Sequence, residues 1–239
     1  MAGITLRDLG YAAAGKVILA GLNLQLDQRR IAIIGRNGSG KTTLLRLIAG
    51  LVAPSHGAVT VEGIDPYRDR KGALQRIGIL FQNPEHQILF PTVEEELAFG
   101  LRQQGMTQKD ALRRTRDALA AEGRAHWAQA SVSTLSGGQK QWLCLQAVLL
   151  MAPETILLDE PFSGLDLPAI ARVTRRLEAL PQRLITISHD PASAAKAERV
   201  IWLEAGRLHA DGPADQVLPQ FTAEMARIGE ADADADLAG

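Results

Sequence analysis

Gly35-Arg36-Asn37-Gly38-Ser39-Gly40-Lys41-Thr42 is the stretch that decides how this chain is read. The apolar run Ile31-Ala32-Ile33-Ile34 precedes it, and Thr43-Leu44-Leu45-Arg46-Leu47-Ile48-Ala49 follows with helical spacing. Strand, glycine-rich turn and helix form the context in which G-x-x-x-x-G-K-[ST] becomes a phosphate-binding loop. The glycines let the backbone curl with its N–H groups pointing inward, and the following helix adds its positive N-terminal end. Lys41 can reach β- and γ-phosphates, while the Thr42 hydroxyl suits Mg²⁺, which prefers hard oxygen ligands. An ordinary glycine-rich turn is the alternative, and the strand and helix flanks argue against it. The stretch implies a nucleoside triphosphate ligand.

Composition bounds the rest. A chain of 239 residues fits one large domain or two small ones and can bury a substantial core. With 46% hydrophobic and 22% charged residues it reads as an ordinary globular protein. The net charge of −1 implies no global attraction to nucleic acid or anionic lipid. Cys144 is the single cysteine, so no internal disulfide forms, and its apolar surroundings suggest packing rather than reactivity. No signal pattern opens the chain, and the longest near-apolar segment, around Leu143 to Ala152, is too short to span a bilayer. The expected location is the cytosol, with any membrane role exercised through partners.

Upstream of the loop, residues 4–9 and 17–26 alternate as antiparallel strands. Its helix is expected to stop at Gly50. Strands are expected at Ala58–Val61, Ile77–Phe81, Thr155–Asp159 and Leu184–Ser188, with a hairpin over Val200–His209 turning at Ala205-Gly206. Helices are expected from a Thr107/Asp110 capping box to Gly123 and from Ser136-Gly137 to Pro153. Another follows Asp166 and Pro168, read as N-cap and N1, and a further one opens at Asp190-Pro191. Apolar strands alternating with helices indicate an α/β fold with a covered parallel sheet. Residues 84–150 read as a helical insertion, and the Asp232, Asp234 and Asp236 tail, from Gly229 to Gly239, as disordered.

Two further segments carry chemistry. Ile156-Leu157-Leu158-Asp159-Glu160 sets two acids at the carboxyl end of a buried strand, where α/β sheets place ligands. Asp159 suits Mg²⁺ held through water, and Glu160 can orient or deprotonate an attacking water; a strand-end salt bridge is the alternative. Leu135-Ser136-Gly137-Gly138-Gln139 offers a second anion site at a helix start, with the Ser136 hydroxyl added. It reads either as a plain helix cap or as a site serving the nucleotide of another subunit.

With these residues in view, the chain resembles the ATP-binding subunit of ABC transporters over nearly its whole length. That family's signature stands at 135–139 beside both of its nucleotide-binding motifs. The resemblance implies a P-loop ATPase core (1–83 and 151–228) with an antiparallel β subdomain and a helical subdomain at 84–150. It implies ATP and Mg²⁺, bound by Gly35, Asn37, Gly38, Ser39, Gly40, Lys41, Thr42 and Thr43, with Thr42, Gln82 and Asp159 toward the metal. Glu160, His189 and Gln82 take the catalytic positions, His189 at the γ-phosphate and Gln82 as the lid-loop glutamine. Ser163-Gly164-Leu165-Asp166 matches the loop that communicates across a dimer, and Ser136, Gly137, Gly138 and Gln139 complete the second copy's site.

The family usually stacks adenine on an aromatic residue upstream of the phosphate loop. Counting back from Leu22-Asn23-Leu24, that slot falls at Ala13, with Tyr11 two residues early; either a register shift brings Tyr11 in, or stacking is absent. Phe81 to Ile88 and Pro91 to Gly100 are similar to energy-coupling-factor ATPases, which drive uptake of vitamins and of cobalt or nickel ions. That resemblance implies a transmembrane coupling protein and a substrate-capture protein as partners, a homodimer at the inner face of the cell membrane, and no nucleic acid. This loop, Phe81 to Gly100, is expected to present an acidic, partly apolar groove to basic helices of the coupling protein. A body ending near 228 and Arg29 to Asn37 most resemble the biotin-specific systems. A non-transport ABC ATPase acting on DNA or ribosomes is the rival; the single phosphate loop, the absence of a heptad run and the lack of a basic patch argue against it.

Overall fold

The computed structural model describes residues 3–230. The strands are β1 (Ile4–Ala13), β2 (Lys16–Leu26), β3 (Arg30–Ile34), β4 (His56–Val61), β5 (Ile77–Leu80), β6 (Thr155–Asp159), β7 (Arg183–Ile187), β8 (Arg199–Glu204) and β9 (Arg207–Gly212). The helices are α1 (Lys41–Ile48), α2 (Arg70–Arg76), α3 (Val93–Gln103), α4 (Gln108–Ala121), α5 (Gly137–Leu150), α6 (Leu167–Glu178), α7 (Pro191–Ala194) and α8 (Ala214–Glu230). They fall into two compact units, one of residues 1–65 and 185–239 and one of residues 66–184.

In the first unit, β1 lies between β2 and β4, antiparallel to both. The turn joining β1 to β2 is Ala14-Gly15, both at positive φ, the geometry whose twist matches a two-residue hairpin. Leu22, Leu24 and Leu26 alternate inward along β2, as the pattern requires. In β3, by contrast, Ile31 through Ile34 are all buried, because β7 and β8 flank it and both its faces are covered. β8 runs parallel to β3, and β9 returns antiparallel at the edge through Ala205-Gly206. Helix α8, which sequence reading left without an element, sets Val217 and Phe221 into a core with Ala32, Ile34, Val200 and Trp202. It also covers Gly229 and Glu230, where the acidic tail was expected to begin; Asp232, Asp234 and Asp236 lie outside the described residues.

In the second unit, β5 and β6 pair in parallel. Helix α5 packs Cys144, Leu145 and Val148 onto Leu80, Ile156 and Leu158, joined by Val173 and Leu177 of α6. Its other side, with Leu143 and Leu150, belongs to a second core built by Val93, Leu97 and Leu101 of α3 and Ala111 and Leu119 of α4. Apolar residues all round a helix are the mark of burial on two sides. In α6, Leu167 is the first helical residue and Pro168 the second, one place later than the sequence suggested. Helix α7 spans only four residues.

Candidate nucleotide site

The phosphate loop is built entirely within the first unit. Ser39 N donates to Arg36 O at 3.1 Å, closing the turn, and Gly40 caps α1 at φ 98°. A side chain at position 40 would be strained there, and its Cβ would stand 2.6 Å from Leu19 Cδ2. Lys41 Nζ donates to Gly35 O at 2.7 Å and Arg36 O at 2.9 Å, so the loop's own carbonyls position the buried ammonium. Ser39 Oγ is buried and has no hydrogen-bond partner among the described residues. An orphaned hydroxyl inside a ring of glycines at a helix N-terminus fits a phosphate oxygen.

The loop rests on the β8–β9 turn. Gly206 N donates to Ser39 O at 3.2 Å, and Gly206 O accepts from Ala20 N at 3.0 Å, tying the loop to β2. Gly206 has φ 74°, and a Cβ there would lie 2.2 Å from Ile18 O, a backbone atom that cannot swing aside. Gly206→Val should therefore cost about 1–3 kcal/mol in strain alone and lower the melting temperature by several degrees. ATP affinity should fall with it, as read by calorimetry on the folded variant. Wild-type melting and wild-type affinity together would show that the turn supports nothing.

His189 shares a cleft of about 330 Å³ with Gly35, Arg36 and Asn37 of the loop and Phe221 and Met225 of α8. Tyr11 pairs with Leu19, the residue packed against Gly40, whereas Ala13 pairs with Lys16 beside the hairpin turn.

The remaining residues lie in the second unit. Asp159 ends β6 and is buried. Glu160 follows at φ 47°, a left-handed conformation that is costly for a carboxylate residue and is typically kept where function demands it. Ser163 N donates to Glu160 O at 3.1 Å, and Gln82 Nε2 reaches Ser163 Oγ at 3.4 Å. Buried Gln141 of α5 donates to Pro161 O at 3.1 Å, which links the signature helix to the turn after Glu160.

The signature turn is a reciprocal cap. Gln139 N donates to Ser136 Oγ at 3.3 Å, and Ser136 N donates to Gln139 Oε1 at 2.7 Å. This occupies the Gln139 side chain and fixes the turn, while the amides of Gly137 and Gly138, in the first two helical positions, have no intrahelical acceptor. Beside it, Arg124 lies over Trp142 at 4.5 Å and over Trp127 at 5.0 Å, and Arg176 pairs with Glu122 at 2.8 Å. The Arg176 guanidinium holds the Glu122 carboxyl below its ordinary range. Sequence reading missed this buttress, because Trp142 looks like an ordinary core residue in a helical run and Trp127 lies between the expected helices.

The acidic loop divides into buried and exposed carboxylates. Glu96 is buried, and its Oε2 accepts from Leu89 N at 2.8 Å and Phe90 N at 2.9 Å. Buried Glu94 bonds Arg116 at 2.8 Å and is held below the ordinary carboxylate range by it. Loop amides need acceptors, and these two carboxylates supply them or pair internally. Solvent meets Glu85 and Glu95, both exposed, together with Leu89, which is 67% exposed. No described helix is long and apolar enough to cross a membrane.

This is an α/β nucleotide-binding ATPase fold with a glycine-rich phosphate loop, an acid pair at a strand end and a capped signature turn. Residues 19–163 match the family described as ABC transporter. The biotin transport ATP-binding protein BioM of Rhodobacter capsulatus is 47% identical, over 95% of this chain and 98% of that protein. The energy-coupling factor transporter ATP-binding protein EcfA of Syntrophomonas wolfei is 34% identical, over 93% of this chain and 85% of that one. The dimeric structure of MJ0796, a bacterial ABC transporter cassette, is matched at a TM-score of 0.75 and 26% identity, over 88% of this chain and 98% of that one. The chain belongs to the ABC transporter family, as an ATP-binding, ATP-hydrolysing subunit.

Proposed function

We propose that this chain is the ATPase of an energy-coupling-factor importer that takes up biotin through transmembrane partners at the inner face of the membrane. Near full-length likeness to a biotin transport subunit carries the reading. In it, the loop amides and Lys41 hold the β- and γ-phosphates, and Ser39 Oγ gains its missing partner there. Thr42, Gln82 and Asp159 would each offer a hard oxygen donor of the kind Mg²⁺ prefers, and the ion would supply charge neutralisation at the phosphates. Glu160 orients the attacking water and accepts its proton. His189 contacts the γ-phosphate. The Ser136 turn of a second, identical copy covers the same phosphate with its Gly137 and Gly138 amides. Closure requires that contact, so loss of the γ-phosphate removes what favours the closed dimer.

The test is uptake by cells or vesicles carrying this chain with its co-encoded membrane subunits. Labelled biotin should accumulate in an ATP-dependent manner. Accumulation of cobalt or nickel ions, with none of biotin, would overturn the cargo assignment.

A further inference from the structure

Glu160 is held in a backbone conformation that its own sequence resists. Its φ of 47° lies in the left-handed region, whereas Pro161 favours an extended backbone in the residue before it. Such a conformation persists only where the surroundings over-determine it. Two hydrogen bonds restrain the turn. One is local: Ser163 N donates to Glu160 O at 3.1 Å. The other comes from a separate element, α5, whose Gln141 Nε2 donates to Pro161 O at 3.1 Å. Gln141 is 2% exposed, so this bond is sheltered from water, and a buried carbonyl left without it would be costly. Its mount is firm as well, because Leu143, Cys144 and Leu145 just beyond it are buried. Ser136, which caps the same helix, is the residue that the proposed dimer sets against the other copy's phosphate.

We propose that Gln141 is a positioning residue for hydrolysis, acting on the attacking water through the Glu160 turn that it holds. The inference rests on the water-orienting role proposed for Glu160 and adds the group that aims it. Helix α5 then serves two sites at once. Its Ser136 end covers the nucleotide of the second copy, and its Gln141 side chain sets the carboxylate that acts on its own copy's nucleotide. Occupancy of one site thereby bears on the catalytic turn of the other, and two-fold symmetry makes the dependence mutual.

Steady-state ATPase of Gln141 variants tests it. Gln141→Leu removes the donor at similar size, and kcat should fall about ten- to a hundredfold with KM for ATP unchanged. Gln141→Glu separates the hydrogen bond from packing, since a protonated carboxyl can donate to Pro161 O and a carboxylate cannot. Its turnover should exceed that of Gln141→Leu at the acid end of the pH profile and fall toward it as pH rises. The route through Glu160 is read in two further ways. In a Glu160→Gln background, Gln141→Leu should slow the residual turnover no further. In a mixed dimer of Ser136→Arg and Lys41→Ala chains, the working site takes Glu160 from the first chain and the signature turn from the second. Gln141→Leu added to the first chain should cut the recovered activity, whereas the same change in the second should not. Equal losses from either chain, a full further loss in the Glu160→Gln background, or coinciding Gln141→Glu and Gln141→Leu profiles would overturn the proposal. Unimpaired turnover by Glu160→Gln alone would instead remove the role of Glu160 on which it rests.

Discussion

Glu160→Gln is expected to bind ATP as the wild type does, to turn it over about 10²–10⁴-fold more slowly, and to accumulate as dimers. The substitution keeps size and polarity but removes the carboxylate to which the proposed function gives the water's proton. The surrounding geometry does not depend on that proton. The chain turns at residue 160 with φ 47°, the turn is closed by Ser163 N onto the residue's own carbonyl, and Gln141 holds Pro161 O from behind. An amide side chain disturbs none of these backbone contacts. With hydrolysis blocked, the γ-phosphate persists and the closed state is not released. Phosphate release and light scattering after gel filtration read the two effects separately. Normal turnover would remove Glu160 from its role, and monomers in saturating MgATP would contradict the shared site.

Ser136→Arg and Lys41→Ala chains should each be nearly inactive alone and recover activity when mixed. Lys41 is the charge positioned by the loop carbonyls, whereas Arg36, the loop's other cation, is exposed. Arginine at 136 destroys the reciprocal cap with Gln139 and sets a bulky cation at the positive end of α5. In a mixed dimer one site receives Lys41 from the first variant and Ser136 from the second, while the other site carries both defects. Random pairing gives about half mixed dimers, so about a quarter of wild-type activity is the ceiling if the two sites act independently. A site completed within one chain predicts no recovery at any ratio. Steady-state ATPase across a mixing series distinguishes the two.

The phosphate loop, the acid pair and the signature turn were legible in the sequence because their backbones restrict the residues that fit. Gly40 at φ 98° against Leu19 and Ser136 reciprocally bonded to Gln139 leave little choice of side chain. The burial of Glu94 and Glu96 was not legible, for the opposite reason. A charge run looks solvated in a sequence, and only the fold shows that loop amides and Arg116 occupy those carboxylates. Helix α8 was hidden by Pro219 inside it and by a polar outer face. The Tyr11 and Ala13 ambiguity has a local origin as well. Strand β1 shifts register between Leu9 and Tyr11 and again between Tyr11 and Ala12, so counting residues along it cannot tell which side chain arrives where.

Helix α5 is gripped by one apolar core through Cys144, Leu145 and Val148 and by another through Leu143 and Leu150. A rod clamped in two vices cannot slide in one without dragging the other. A displacement of its tip at Gly137 is then expected to reach α3 and α4 through both cores.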